Sequence, residues 1–224
     1  MPSAFVTGAT GFVGLNLVEE LLGRGWRVTA LHRKTSSLRF LEPLACERAV
    51  GTITDADSLR SAMPDGVDVV YHVAGDTNMW SRHNDRQTRN NVDGTRNVVD
   101  VALEKRAGRF VHTSSIAAYG IHEGVIDEQT PQTAVSSWIH YLRTKGLAER
   151  EVRAGIDRGL DAVILNPAYI FGRYDVRNWS TLIWLAASGR LTSAPPGGGA
   201  FCEARAVAAA HVEAAVRGRT GAKS

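Results

Sequence analysis

The chain has 224 residues, with 26 Lys plus Arg against 23 Asp plus Glu, a net charge of +3, and 44% hydrophobic residues. That length supports one substantial core, or one domain with part of another. The charges are mixed along the chain, which argues against a nucleic-acid partner, and two distant cysteines, Cys46 and Cys202, exclude a disulfide scaffold and a cysteine zinc site.

Ala4–Thr7 reads as a short buried strand, and Gly8, Gly11 and Gly14 follow at a spacing of three. Leu15, Val18, Leu21 and Leu22 then recur at helical spacing. A strand, a glycine turn and a helix form the context of a dinucleotide-binding fingerprint. Gly8 serves the tight turn, Gly11 admits a pyrophosphate to the backbone, and Gly14 lets helix and strand pack closely. Thr10, Phe12 and Val13 lie within this turn, where free helix N–H groups attract phosphate. The strand starts almost at Met1, leaving no room for a signal peptide, and no apolar run reaches membrane-spanning length. The expected setting is the cytoplasm.

The helix stops near Gly23-Arg24-Gly25, and Trp26–Leu31 is the second strand. An NAD site places a carboxylate at this strand's end. No Asp or Glu occurs from Val28 to Phe40, and Arg33, with Lys34, is placed to pair with a 2′-phosphate. NADP(H) is therefore the expected cofactor, with NAD(H) the alternative. The competing reading is a surface basic pair.

Ala49–Ile53 is expected as a third strand, with Thr54 and Asp57 as a capping box for a helix to about Met63. Val67–Val73 is a fourth strand, nearly all apolar, ending at Ala74-Gly75, where a cofactor can approach the backbone. A loop passes Asn78 and Trp80. The basic run Arg82, His83, Arg86, Arg89 reads as a solvated helix face. Asn91–Val99 opens a long helix, and Arg109–Thr113 is the fifth strand. Alternating strands and helices indicate an α/β fold, a doubly wound parallel sheet of Rossmann type.

The fifth strand runs into Ser114-Ser115, and Tyr119-Gly120 follow. Tyr141 and Lys145 stand four apart on one helix face. An ammonium beside a phenol favours its ionised form, making Tyr141 a usable proton donor or acceptor. A serine hydroxyl beside it can hold a substrate oxygen. Taken singly, each of these is ordinary surface or strand-end chemistry; their order behind the glycine loop is what points to a site.

Gly8-x-x-Gly11-x-x-Gly14, Asn91-Val92-x-Gly94-Thr95, Ser115 with Tyr119-Gly120, Tyr141-x-x-x-Lys145 and Asn166-Pro167-x-x-Ile170-Phe171-Gly172 together resemble the extended short-chain dehydrogenase/reductases. The likeness covers nearly the whole chain and leans to the dihydroflavonol-4-reductase-like and epimerase/dehydratase-like members. It implies Tyr141 as proton donor or acceptor, Lys145 on the nicotinamide ribose, Ser115 on the substrate oxygen and Asn91 as a structural support. Pro167 to Ile170 would line the nicotinamide end. Ile53, Ala74 and Gly75 join the glycine turn and Arg33 as expected cofactor contacts. Two departures stand out: Thr52 follows Gly51 where many relatives carry an acid, and Arg205-Ala206-Val207 lacks the frequent Asp.

No metal site is expected. His72 and His112 sit in apolar strands and read as packed, and Asp127 and Glu128 as a solvated loop. Leu160–Leu165 is a further strand. Trp179–Ala187 and Ala204–Val216 read as helices around a Pro195–Gly199 loop. The expected division is a dinucleotide domain over 1–165 and a small, incomplete substrate lobe over 166–224, with Leu182, Trp184 and Leu185 more exposed than in a complete relative. The expected activity is an NADP(H)-dependent oxidoreductase acting on a carbonyl or secondary alcohol of a small-molecule substrate, as monomer or homodimer. The alternatives are a nucleotide-sugar epimerase and a non-catalytic NADP(H)-binding module. A sugar dehydratase fits less well, because Ile116-Ala117 follow Ser115 where acids would be needed.

Overall fold

The computed structural model describes residues 1–176, 179–193 and 198–221. Pro195, Pro196 and Gly197 of the expected Pro/Gly loop lie outside the described residues, as do Ala222–Ser224 at the terminus.

Six strands form one parallel sheet: β1 (Ser3–Thr7), β2 (Arg27–His32), β3 (Glu47–Val50), β4 (Val69–His72), β5 (Arg109–Thr113) and β6 (Ala162–Leu165). Their order is β3-β2-β1-β4-β5-β6, so the chain reverses its direction of travel between β1 and β4. A crevice opens beyond the carboxyl ends of the strands at such a switch point.

The period-2 alternation of these strands feeds two cores. Ala4, Val6, Val28, Ala30, Tyr71 and Val111 face one side, where α1 (Phe12–Gly23) and α7 (Ala204–Arg217) pack. Phe5, Leu31, Val70, Phe110 and Ile164 face the other, under α2 (Ala56–Ala62), α4 (Gly94–Glu104) and α5 (His140–Asp157). Burial on both faces explains the nearly uniform apolar runs in the sequence.

Three of the boundaries that differ from expectation have a clear local cause. The third strand begins and ends earlier, at Glu47–Val50 rather than Ala49–Ile53, because it pairs with β2 from Thr29–Glu47 to His32–Val50. As an edge strand it carries polar Glu47 and Arg48, and Thr29 Oγ1 donates to Glu47 Oε2 at 3.1 Å. The cap of α2 is Asp55 rather than Thr54: its Oδ1 accepts from Asp57 N at 3.0 Å and Ser58 N at 3.2 Å. The long helix begins seven residues before Asn91, at Asn84. A 3₁₀ turn at Ser81–His83 leads into α3 (Asn84–Thr88), a π-helical turn at Arg89–Asp93, and then α4.

Beyond β6, the strands β7 (Tyr169–Phe171) and β8 (Phe201–Glu203) pair in parallel as a separate two-stranded sheet, which the sequence reading missed. Between them lies α6 (Trp179–Ala187), none of whose residues is buried. Leu182 and Leu185 are half-buried and Trp184 is 55% exposed.

Candidate active site

The glycine turn closes as its residue types demand. Gly8 has φ +70°, and a Cβ there would sit 2.6 Å from Ala74 N, inside the neighbouring strand end. A Cβ on Gly14 would run into the carbonyl of Gly8. Gly11 N donates to Gly8 O at 2.9 Å, and Gly11 is the extended N-cap of α1. The helix has no acidic residue in its first turn, which leaves its positive end open to an anion.

A cleft of about 390 Å³ lies over this turn. Its walls include Gly8, Thr10, Gly11, Phe12, Val13, Gly14, Arg33, Ile53, Ala74 and Gly75, ten expected cofactor contacts brought together from four strand ends. His32, Ser36, Thr52 and Asn90 join them, and among the described residues no Asp or Glu lines the cleft. Arg33 is exposed at the end of β2, with Ser36 Oγ accepting from its backbone N–H at 3.2 Å. The collisions that any Cβ would cause at Gly8 and Gly14 shape a cradle suited to a pyrophosphate, so the residues present fit a nicotinamide dinucleotide.

Gly75 joins the cleft to the chemical groups. A Cβ there would lie 3.7 Å from both Asn91 Oδ1 and Lys145 Nζ. Lys145 is buried on α5, and its Nζ donates to Thr113 O at 3.1 Å. Burial pushes its ammonium down to about 8, and the Glu149 carboxylate opposes that. Tyr141 lies one turn earlier, and the Ser115 side chain is the polar group that acts on its phenol. Ser115 leaves β5 in extended geometry, and its Oγ accepts from Ala117 N at 3.2 Å, capping the turn Ile116–Tyr119.

The electrostatics differ from expectation. The ammonium was expected to lower the Tyr141 phenol. Burial instead pushes it up, and the Ser115 side chain is what works against that. The phenol is held in its protonated form, which a proton donor requires.

Asn91 owes its place to the π turn. Its Oδ1 accepts from Asp76 N at 2.7 Å, and its Nδ2 donates to Asp76 O at 2.9 Å and to Thr144 Oγ1 at 3.1 Å. It thus fastens the strand end of β4 to α5. π turns inside α-helices recur at functional sites. Pro167 accepts from Ile116 N at 3.0 Å and so lies beside the Ser115 turn, while Ile170 is half-buried in β7; neither is on the cleft wall.

His72 is held at both nitrogens, with Nδ1 2.8 Å from Thr7 Oγ1 and Nε2 3.0 Å from Thr95 Oγ1. Because Thr95 donates to Asn91 O at 2.6 Å, it accepts from His72, which fixes the Nε2–H tautomer. The expected packing role of His72 and His112 is what the structure shows. Among the described residues, no group of three metal-ligating side chains occurs, and no helix is long and apolar enough to cross a membrane. Asp127 is exposed, accepting from Gln129 N and Thr130 Oγ1, in a loop as expected. Glu203, rather than the missing Asp, caps α7 by accepting from Arg205 N and Ala206 N.

The sequence reading missed Thr144, Asp76 and Glu149 and quoted Asn166 only as part of a motif. Their polar side chains sit among motif residues, and nothing in the sequence sets Glu149 apart from a surface residue of the helix.

The chain is 38% identical over 224 residues to sterol demethylase protein B of Methylococcus capsulatus, covering 98% of this chain and 67% of that protein. It is 36% identical to a putative dihydroflavonol 4-reductase of Synechocystis sp., covering 96% of this chain and 64% of that one. It therefore spans about two thirds of the length of these relatives. The solved structure of gox2253 superposes with a TM-score of 0.92 at 35% identity, over all of this chain and 69% of that one. Residues 4–217 match the profile of one family over almost the entire length. With the glycine cradle, the β3-β2-β1-β4-β5-β6 sheet and the Ser115–Tyr141–Lys145 cluster, this places the chain in the NAD dependent epimerase/dehydratase family.

Proposed function

We propose that the chain binds NADP(H) and works as an oxidoreductase that interconverts a carbonyl and a secondary alcohol. The observation that carries this reading is Lys145, fixed one turn along α5 from Tyr141 and beside Gly75 of the cofactor cleft, with Ser115 at the end of β5. When bound, the nicotinamide supplies the hydride. Tyr141, held protonated, gives its phenolic proton to the carbonyl oxygen. The Ser115 hydroxyl donates a hydrogen bond to that oxygen and steadies its developing charge. Lys145, fixed on Thr113 O, faces the ribose end of the cleft. Arg33 meets the 2′-phosphate, and the absence of any carboxylate from the cleft wall supports NADP(H) over NAD(H). Residues 1–165 form the dinucleotide unit, against whose sheet α7 packs, and β7, α6 and β8 belong to the substrate side.

Trp80, Trp138 and Tyr169, which follow β4, β5 and β6 in the chain, are all exposed. Exposed aromatic rings of this kind suit an apolar carbonyl better than a nucleotide sugar, in keeping with relatives named for sterol and dihydroflavonol chemistry. The test is NADPH oxidation with a panel of apolar ketones, alongside epimer formation from a panel of nucleotide sugars followed by chromatography, since an epimerase returns its hydride and leaves no net NADPH oxidation. Turnover of ketones alone supports the reading. Turnover of nucleotide sugars alone makes the chain an epimerase, and cofactor binding without turnover makes it a binding module.

A further inference from the structure

Glu149 follows Lys145 by one turn of α5 and is completely buried. A carboxylate removed from water costs several kcal/mol unless it is paired and hydrogen-bonded. Here Ser114 Oγ donates to Oε1 at 2.6 Å and Asn166 Nδ2 at 2.7 Å, while Gln132 Nε2 donates to Oε2 at 2.6 Å. Arg153 Nη2 stands 3.7 Å away. The donors come from separate parts of the chain: the end of β5, the end of β6 and the loop before α5. Asn166 Nδ2 also donates to Ser115 O at 3.0 Å. Both routes from Glu149, through Ser114 and through Asn166, therefore end on the backbone that carries Ser115. Its own helix carries Tyr141 and Lys145.

We propose that Glu149 is a positioning residue, locking the Ser115 strand end to the Tyr141–Lys145 helix and providing the buried counter-charge of Lys145. The proposal rests on the oxidoreductase reading for its kinetic consequence, but not for its electrostatic one. The titratable groups around Lys145 are His72 from β4, His112 from β5, and Tyr141 and Glu149 on α5. Burial keeps both histidines neutral, which leaves Glu149 as the anion acting on Lys145. Arg153 and Tyr119 are the titratable neighbours of Glu149 itself.

The test is Glu149→Gln, which keeps the shape and removes the charge. Two readouts are needed. In cofactor-free protein labelled with ¹³C at lysine Cε, the Lys145 resonance among the chain's four lysines, assigned through Lys145→Arg, is titrated. In the loaded enzyme, kcat and KM for a ketone are measured. The expected result is a Lys145 midpoint lower by about half a pH unit or more and a kcat reduced about tenfold or more with KM little changed. An unmoved Lys145 midpoint, or a kcat within about twofold of the parent, overturns the proposal. If Glu149→Gln does not fold, Ser114→Ala decides, since it loosens the lock while keeping the charge. A lowered kcat with an unmoved Lys145 midpoint is then the supporting result, and an unchanged kcat the opposing one. Failure of the functional reading is separable: a Tyr141→Phe enzyme at full rate removes the oxidoreductase assignment and leaves the Lys145 titration to judge Glu149.

Discussion

The imidazole of His72 lies stacked on that of His112, with ring centroids 5.3 Å apart and 30° between the planes. The two residues are direct register partners on β4 and β5. Neither ring nitrogen of His112 has a partner among the described residues. Burial holds His72 down to about 3 and His112 well below the ordinary histidine value, with neighbouring His72 and Lys145 adding to the effect on His112. Burial also holds His211 down to about 4, although its Nδ1 contact with Val207 O opposes that.

The sign of the resulting pH dependence follows. Above about pH 6.5 these histidines are neutral in both folded and unfolded chains and cost nothing. As pH falls below that, the unfolded chain takes up protons that the folded one refuses, so stability is lost at about 1.4 kcal/mol per pH unit for each histidine. The window runs from about pH 6.5 down to about 4 for His211 and about 3 for His72. Urea midpoints measured from pH 7.5 to 5 should fall with a slope approaching three protons, beyond what the carboxylates contribute. His112→Leu should remove one proton from that slope. A flat midpoint across this range would contradict the buried neutral cluster.

Tyr141→Phe deletes the phenolic proton and keeps the ring. Turnover should fall by about 10² to 10⁴, while NADPH affinity, measured by calorimetry, stays within about twofold, since the glycine cradle is untouched. Near-parental turnover would remove Tyr141 from proton transfer.

Arg33→Ala tests cofactor selectivity. Losing one charge-assisted hydrogen bond to a 2′-phosphate costs about 1.5–3 kcal/mol, which is roughly 10- to 150-fold in the Kd for NADPH. NADH binding should scarcely change. Equal losses for both would show that Arg33 is an ordinary surface residue.

Gly14→Ala places a methyl group against the Gly8 carbonyl. Overpacking of this kind costs about 1–3 kcal/mol and pushes α1 off the end of β1. Both the thermal midpoint and NADPH affinity should drop together. Gly23→Ala, on the same helix with open space around the added carbon, is the control and should be neutral or stabilising.

Helix α6 buries no residue, so its backbone hydrogen bonds should exchange quickly in the free chain, well ahead of α1 and α5. Protection over Trp179–Ala187 equal to that of α5 would show a stability that its packing does not explain.

Much of this was legible in the sequence because two kinds of signal reinforced each other. Val69 to His72 had to be a strand buried on both faces, and the glycine spacing had to be a turn, because backbone sterics left few other options. What escaped depended on pairing partners. Glu47 and Arg48 look unlike a strand until β2 is placed beside them, and β7 is three residues long and has meaning only against β8. Asp55 and Thr54 are equally good caps on paper, and one residue of helix phase chooses between them. The direction of the Tyr141 shift was misjudged because sequence reports the nearby charge and hides the burial. Glu149 was invisible for the same reason: a glutamate on a helix reads as surface until its three donors are seen to converge.

The π turn at Arg89–Asp93 makes the helix from Asn84 to Glu104 one residue longer than an uninterrupted α-helix would need. An α-helix turns about 100° for each residue, so this single surplus residue is a phase shifter. Upstream of it, Gln87 faces inward to donate to Asp76 O and Asn78 O at 3.0 and 2.6 Å; downstream, Val98, Val99 and Ala102 face the sheet. Deleting one residue from the turn would let the segment relax to regular α geometry and rotate its two halves by about 100° relative to each other. Either the loop behind β4 or the apolar stripe of α4 would then face the wrong way, so this stretch should accept substitutions more readily than any change in its length.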